Sequence, residues 1–462
     1  MGESSGPLRS SADAAGSPPS PAGSAANVID PVAIMRSRAY LGSLLLAAIL
    51  GVPISAIAYG FLALVSLIQR FIFTTLPTDI LGTTAPAWWP IPWLVLCGVL
   101  VALAIRHLPG NGGHSPALGF VPGGAPASWG ELSNVAVAAL ATLSLGAVLG
   151  PEAPLLAIGG GLAALTVRRV KHDAAPSAVT IMASAGSFAA ISTLLGSPVL
   201  AAFLIMEAAG IGGMALSMVA LPGLVAAGVG ALVFTGLDGW TGLGSFSLAL
   251  PSVPPADPPT LLSLAWAVPL GALAALLGWL IRSVALSVRP LVHRRRIAVT
   301  AGLGLLVGAT ATFYQLVSGR SFTEILFSGQ DALPGLVDNA SDYTLGVLIV
   351  LIVCKSLAYG LSLSAFRGGP VFPAMFVGGA IGIAVSGLPG VDLAAGIGMG
   401  IGAMAVSMLR LPLTSTMLAT LLMGIDGILV TPQVVLAVAT AFLITMKLPV
   451  RAEPAGSAPV HR

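Results

Sequence analysis

Twelve long apolar stretches, almost free of charge, leave this chain few ways to fold. They fall near 39–74, 91–105, 133–149, 176–191, 198–235, 260–285, 298–317, 344–363, 374–388, 393–409, 413–424 and 432–447. Only 8% of the 462 residues are charged and 56% are hydrophobic. A water-soluble domain carries roughly 25% charged residues, so this chain could not cover itself in water. The stretches predict an all-α, polytopic membrane protein with ten or more helices, resident in the cell membrane. Several are shorter than the ~20 residues of a full span. Short or broken segments belong around cavities inside a bundle, where protein and not lipid surrounds the backbone.

The remaining charges sort by position. Arg36 and Arg38, then Arg168, Arg169 and Lys171, then Arg289, Arg294, Arg295 and Arg296 mark cytoplasmic loops. That position accounts for them, and nothing points to nucleic acid. Cys97 and Cys354 lie inside apolar segments and read as small buried hydrophobes. No spacing of acids, histidines or cysteines suggests a metal, a cofactor or an enzyme. Residues 1–37, rich in Ser, Ala, Gly and Pro, are expected to be a disordered cytoplasmic tail. Residues 449–462 read as a second short cytoplasmic tail, with no soluble regulatory domain attached.

Between the tails the prolines and glycines repeat. GPEAPLLAIGG at 150–160 and GPVFPAMFVGG at 369–379 both read G-P-x-x-P-x-x-x-x-G-G. A second pairing follows in the same order: SPVLAAFLIM at 197–206 begins its helix 44 residues after Pro154, and LPLTSTMLAT at 411–420 does so 39 residues after Pro373. Two matches in register imply two related halves, near 38–240 and 260–448, within one transmembrane unit spanning 38–448. Gly/Pro-interrupted segments at matching places in two halves point to a transporter's central site. Pro151 and Pro370 suit the first turn of a helix, and the preceding glycines are expected to supply unusual backbone angles. Each motif therefore brings a helix N-terminus into the membrane, where unpaired N–H groups favour an anion. The glycines of GIGMGIG at 396–402 fit close helix packing instead.

These motifs resemble those of the CLC family of chloride channels and chloride/proton antiporters, in the form without cytoplasmic regulatory domains. LGPEAPLLAIGG is similar to the family's G-[KR]-E-G-P segment, FRGGPVFPAMFVGG to its G-G-x-F-x-P segment, and GNGGHSPALG to its G-S-G-I-P segment. The resemblance implies two inverted-topology helical repeats with broken and re-entrant helices. It also implies a homodimer in the lipid bilayer with one ion pathway per subunit. The transported species would be chloride or another monovalent anion, with protons moving as well if the chain is an antiporter. Glu152 falls on the gating glutamate, whose carboxylate competes with the anion and is released by protonation. An ionisable group at membrane depth carries such a role by default. Val371 and Phe372 match the residues whose backbone amides hold the central anion.

The sequence departs from the family pattern in four places. Gly113 stands where the family has an ion-coordinating serine, or Asn111 does if a gap is allowed. His114 beside it reads either as a proton carrier or as a hydrogen-bonded loop histidine. Glu207 and Ala208 replace a common acid pair. Ala208, on the intracellular proton acceptor, cannot bind a proton, and Glu207 points about 100° away around the helix. Glu207 thus reads as a proton-pathway residue or as a membrane-end carboxylate paired with a nearby base. The stretch 432–452 has no tyrosine, so no inner gate is assigned. Arg367, where small residues are usual, either raises the local anion concentration or binds a carboxylate or carbonyl. Lys355, inside an apolar run, either adds positive potential or snorkels to the interface. A cation-coupled secondary solute transporter on an inverted repeat is the alternative reading. It would require more intramembrane carboxylates than Glu152 and Glu207.

Overall fold

The computed structural model describes Gly2 and residues 35–120, 128–210, 213–250 and 253–449. Most of the two expected tails therefore lies outside the described residues. Fifteen α-helices run through the described residues. In chain order they are α1 (Arg38–Arg70), α2 (Pro90–His107), α3 (Trp129–Ser144), α4 (Glu152–Val170) and α5 (Pro176–Ala190). Next come α6 (Pro198–Ala208), α7 (Gly213–Thr241), α8 (Leu261–Arg294), α9 (Arg296–Ser318) and α10 (Ala332–Asp338). The last five are α11 (Leu345–Ala365), α12 (Val371–Val385), α13 (Leu393–Leu409), α14 (Pro412–Leu422) and α15 (Gly427–Lys447).

The starts of these helices follow from local chemistry. Side chains of Ser37, Ser128, Ser197, Thr260, Thr344 and Asp392 accept hydrogen bonds from the first turn of α1, α3, α6, α8, α11 and α13. Proline opens α2, α5, α6 and α14, where its missing N–H goes unnoticed. Eight helical segments are long and apolar enough to cross a membrane, whereas α6, α12, α13 and α14 are shorter. The 34 residues of α8 span about 50 Å, which exceeds the hydrocarbon core and requires tilt.

The element order repeats. The series α1, α2, a 3-10 turn at Pro116–Leu118, then α3 to α7 is followed by α8, α9, the short α10, then α11 to α15. Packing repeats with it. Helix α4 lies on α5 as α12 lies on α13, and α1 lies on α7 as α8 lies on α15. Two counterpart pairs, α2 with α9 and α6 with α14, also meet each other, as a two-fold relation between inverted repeats requires.

Glycine sets the closest crossings. A Cβ on Gly159 of α4 would strike the carbonyl of Gly186 in α5, and the reverse also holds. In the second repeat Gly378 and Gly382 of α12 meet Gly400 and Gly396 of α13 in the same way. The GIGMGIG glycines are thus contact surfaces between helices.

One apolar stretch departs from expectation. The segment expected as helix over 133–149 stops at Ser144, and residues 145–151 run unwound. Leu145, Ala147, Val148 and Leu149 are nevertheless buried. Their apolar side chains belong to an irregular strip enclosed in protein. Backbone polar groups there find protein partners: Val148 N–H donates to Ser362 Oγ at 3.0 Å.

Candidate anion site at the crossing of the two repeats

The two G-P motifs meet. Gly150 and Gly369 form an antiparallel bridge, with N–H to O distances of 2.8 and 2.7 Å in the two directions. Pro151 and Pro370 then cap α4 and α12, so both helix N-termini start from one crossing. Glu152 is the first residue of α4 and is completely buried. Its carboxylate reaches across to the other repeat, where Val371 N–H donates to Oε1 at 2.5 Å. Oε2 has no partner among the described residues. A carboxylate therefore sits on the positive end of α12, in the place where a free anion would be held.

This arrangement corrects the role expected of the neighbouring glycines. Neither Gly150 nor Gly369 adopts a positive φ, but a Cβ on either would collide with the Glu152 carboxyl group. Glycine stands there to leave room for that side chain. Val371 and Phe372 are both buried. Their sequence offers no polar side chain, and the amide of Val371 supplies the contact.

Tyr359 of α11 belongs to the same crossing, and the sequence reading missed it. Its side chain is fully buried, and its hydroxyl donates to Pro370 O at 2.7 Å. It also lies within electrostatic reach of Glu152 and Arg282. A tyrosine is expected in the last helix, whereas this one comes from the helix ahead of the second motif.

Beside the crossing is a cavity of about 330 Å³, lined in part by Gly113, His114, Pro154, Arg367, Gly368 and Pro370. The loop before Pro116 is held in shape by three glycines at positive φ, Gly110, Gly112 and Gly113. Asn134 Nδ2 donates to the carbonyls of Leu108, Pro109 and Gly110 at 3.3, 3.0 and 3.2 Å. Gly113 and His114 both face the cavity. Asn111 is exposed and takes part through its backbone: its carbonyl accepts from Arg367 Nε and Nη2, both at 3.1 Å. Arg367 Nη1 adds longer contacts to Ala365 O and Phe366 O, and Arg367 N–H donates to Thr142 Oγ1 at 3.2 Å. Of the two readings of Arg367, carbonyl binding is therefore present, and the charge also faces the cavity.

Lys355 and Glu207 lie apart from this crossing. Lys355 does not snorkel. It is fully buried, donates to the carbonyls of Glu324, Leu326 and Phe327 at 3.1, 2.8 and 3.3 Å, and stands 4.6 Å from the Phe376 ring centre. Among the described residues Glu207 is not paired with a base. Its carboxylate caps α14, accepting from Leu413 N–H at 2.9 Å, Thr414 N–H at 2.7 Å and Thr414 Oγ1 at 2.6 Å. No cluster of metal-ligating side chains occurs among the described residues. Cys97 and Cys354 are buried free thiols. With backbone N–H groups at a helix end and arginine at the cavity wall, the site suits a small anion.

Comparison with known proteins points the same way. Residues 97–446 match the family model of the voltage gated chloride channels. YfeO of Salmonella choleraesuis (strain SC-B67), provisionally named an ion-transport protein, is 31% identical over 355 residues, which is 75% of this chain and 81% of YfeO. YfeO of Escherichia coli (strain SMS-3-5 / SECEC) is 28% identical over 352 residues, 75% of this chain and 80% of its own. Among solved structures, a slow cyanobacterial Cl⁻/H⁺ antiporter superposes with a TM-score of 0.68 at 19% identity, covering 88% of this chain and 94% of that one. A CLC-type fluoride/proton antiporter gives 0.66 at 18% identity, covering 89% and 97%.

Proposed function

This chain belongs to the voltage gated chloride channel family as a multi-pass integral membrane protein, and from that premise we propose that it transports a monovalent anion through a pathway gated by Glu152. The observation that carries the reading is the seat of the Glu152 carboxylate on the Val371 amide at the start of α12. Ionised, Glu152 occupies the helix end and excludes the permeant anion. Protonated, it loses its charge and with it the attraction to the positive terminus, so it yields the seat. The unpartnered Oε2 offers the proton a place to bind. Anion flux therefore rises as pH falls.

Chloride is the first anion to test, because a chloride/proton antiporter shares the fold. Fluoride is the second, for the same reason. Gly113 presents no side-chain hydroxyl to the cavity, so at this position selectivity among halides and nitrate rests on the backbone. The proton does not reach Glu152 by way of Glu207, which is engaged by three donors at α14, and Ala208 has no proton to offer. The decisive measurement is anion flux from liposomes over a pH series. Wild-type flux is expected to climb toward acid pH, while Glu152→Gln and Glu152→Ala are expected to be high and flat. A variant that keeps the wild-type pH profile removes Glu152 from the gate.

A further inference from the structure

Arg282 of α8 and Arg410, the residue that closes α13, line a second small cavity together with Ser407 and with Thr445 near the end of α15. Its volume of about 20 Å³ admits one water-sized particle. Neither guanidinium makes an ion pair or a side-chain hydrogen bond among the described residues, and Arg410 Nε is buried without a partner. Thr445 Oγ1 is also buried and unpartnered, with the residue 6% exposed. Two cations and a hydroxyl thus face one small cavity whose described lining holds no carboxylate. Both arginines are half-buried; leaving charge drawn out of water without a counter-ion is costly, and a small anion would supply one.

The backbone adds an independent sign. Arg410 has φ +60° and ψ 32°, the left-handed conformation in which helices usually end on glycine. A long side chain kept at such a position reflects a demand for that side chain. The cavity also adjoins the pathway. A terminal nitrogen of Arg282 stands 4.0 Å from the point where a Cβ on Gly119 would lie, and Gly119 borders the larger cavity. Arg282 further lies within electrostatic reach of Tyr359, which holds the Pro370 carbonyl.

We propose that Arg282, Arg410 and Thr445 form a binding station for a small monovalent anion, separate from the N-terminus of α12 and next to the main cavity. The geometry of the station is independent of the gate, and only the class of anion rests on the transport reading. Its place beside the larger cavity makes it a holding point from which an anion is delivered.

The test is anomalous diffraction from crystals of the full chain soaked in bromide. Bromide is expected between Arg282 and Arg410 in the wild type and absent in Arg282→Gln and in Arg410→Gly. The second variant suits the left-handed backbone and so protects the fold. Glu152→Ala is expected to gain bromide at α12 whether or not the arginines are changed. In liposomes the chloride concentration for half-maximal flux is expected to rise about tenfold in either arginine variant, as the loss of a charged hydrogen-bonding partner predicts. An empty cavity in the wild type, bromide that survives both substitutions, or unchanged half-saturation overturns the station. Bromide at the arginines with none at α12 in Glu152→Ala overturns the gate and leaves the station standing.

Discussion

Glu152 lies across two glycines, Gly150 and Gly369, and each of the three residues constrains the others. A Cβ on Gly369 would occupy the volume of the Glu152 carboxyl group. Gly369→Ala is therefore expected to destabilise the protein by about 1–3 kcal/mol, the range for overpacking a tight interior, and to raise flux at neutral pH by pushing the carboxylate off Val371. In a Glu152→Ala background the same alanine should be nearly harmless. Thermal unfolding of the four proteins measures the coupling, and additive effects would mean that the carboxylate does not lie over Gly369. The acid and both glycines are visible in the sequence as motif letters. The steric dependence of Glu152 on Gly369 is not, because it joins residues more than two hundred positions apart.

At the scale of elements, two helix N-termini each hold a carboxylate from the other repeat. Glu207 on α6 closes the N-terminus of α14, its counterpart in the other repeat. Glu207→Gln keeps an acceptor but loses the charge, so a loss of about 0.3–1 kcal/mol is expected, rising to ~2 in a partly buried setting. The pH profile of anion flux should stay as in the wild type. A profile that shifts would return Glu207 to the proton path. Lys355 works differently, tying α11 to the 324–327 segment by three carbonyls. Lys355→Met orphans these buried acceptors, and a loss of roughly 2 kcal/mol or more is expected in thermal unfolding. Sequence reading found both residues by their charge in apolar surroundings. It could not find their partners, which, apart from the Thr414 hydroxyl, are backbone groups that every sequence has.

For the molecule as a whole, an imposed anion gradient is expected to drive little uphill proton movement through reconstituted protein. Among the described residues Glu207 is occupied as a cap and Ala208 cannot bind a proton, so this helix end is expected to offer Glu152 no acidic relay. Simultaneous recording of anion and proton flux in liposomes checks this, and strong uphill proton transport would identify a coupled exchanger. The sequence by itself determined that the chain lives in a membrane, that its two halves share a plan, and that Glu152 and Val371 stand in matching Gly/Pro motifs. Those conclusions depend on composition, on order along the chain and on proline and glycine chemistry, all of which are local. Only the tertiary structure decided that Gly150 and Gly369 serve space and not backbone angle, that Glu207 caps a helix, that Tyr359 joins the crossing, and that Arg282 and Arg410 line one small cavity. Each of these depends on which atoms meet across the two-fold relation between repeats, and no spacing within a single helix encodes that.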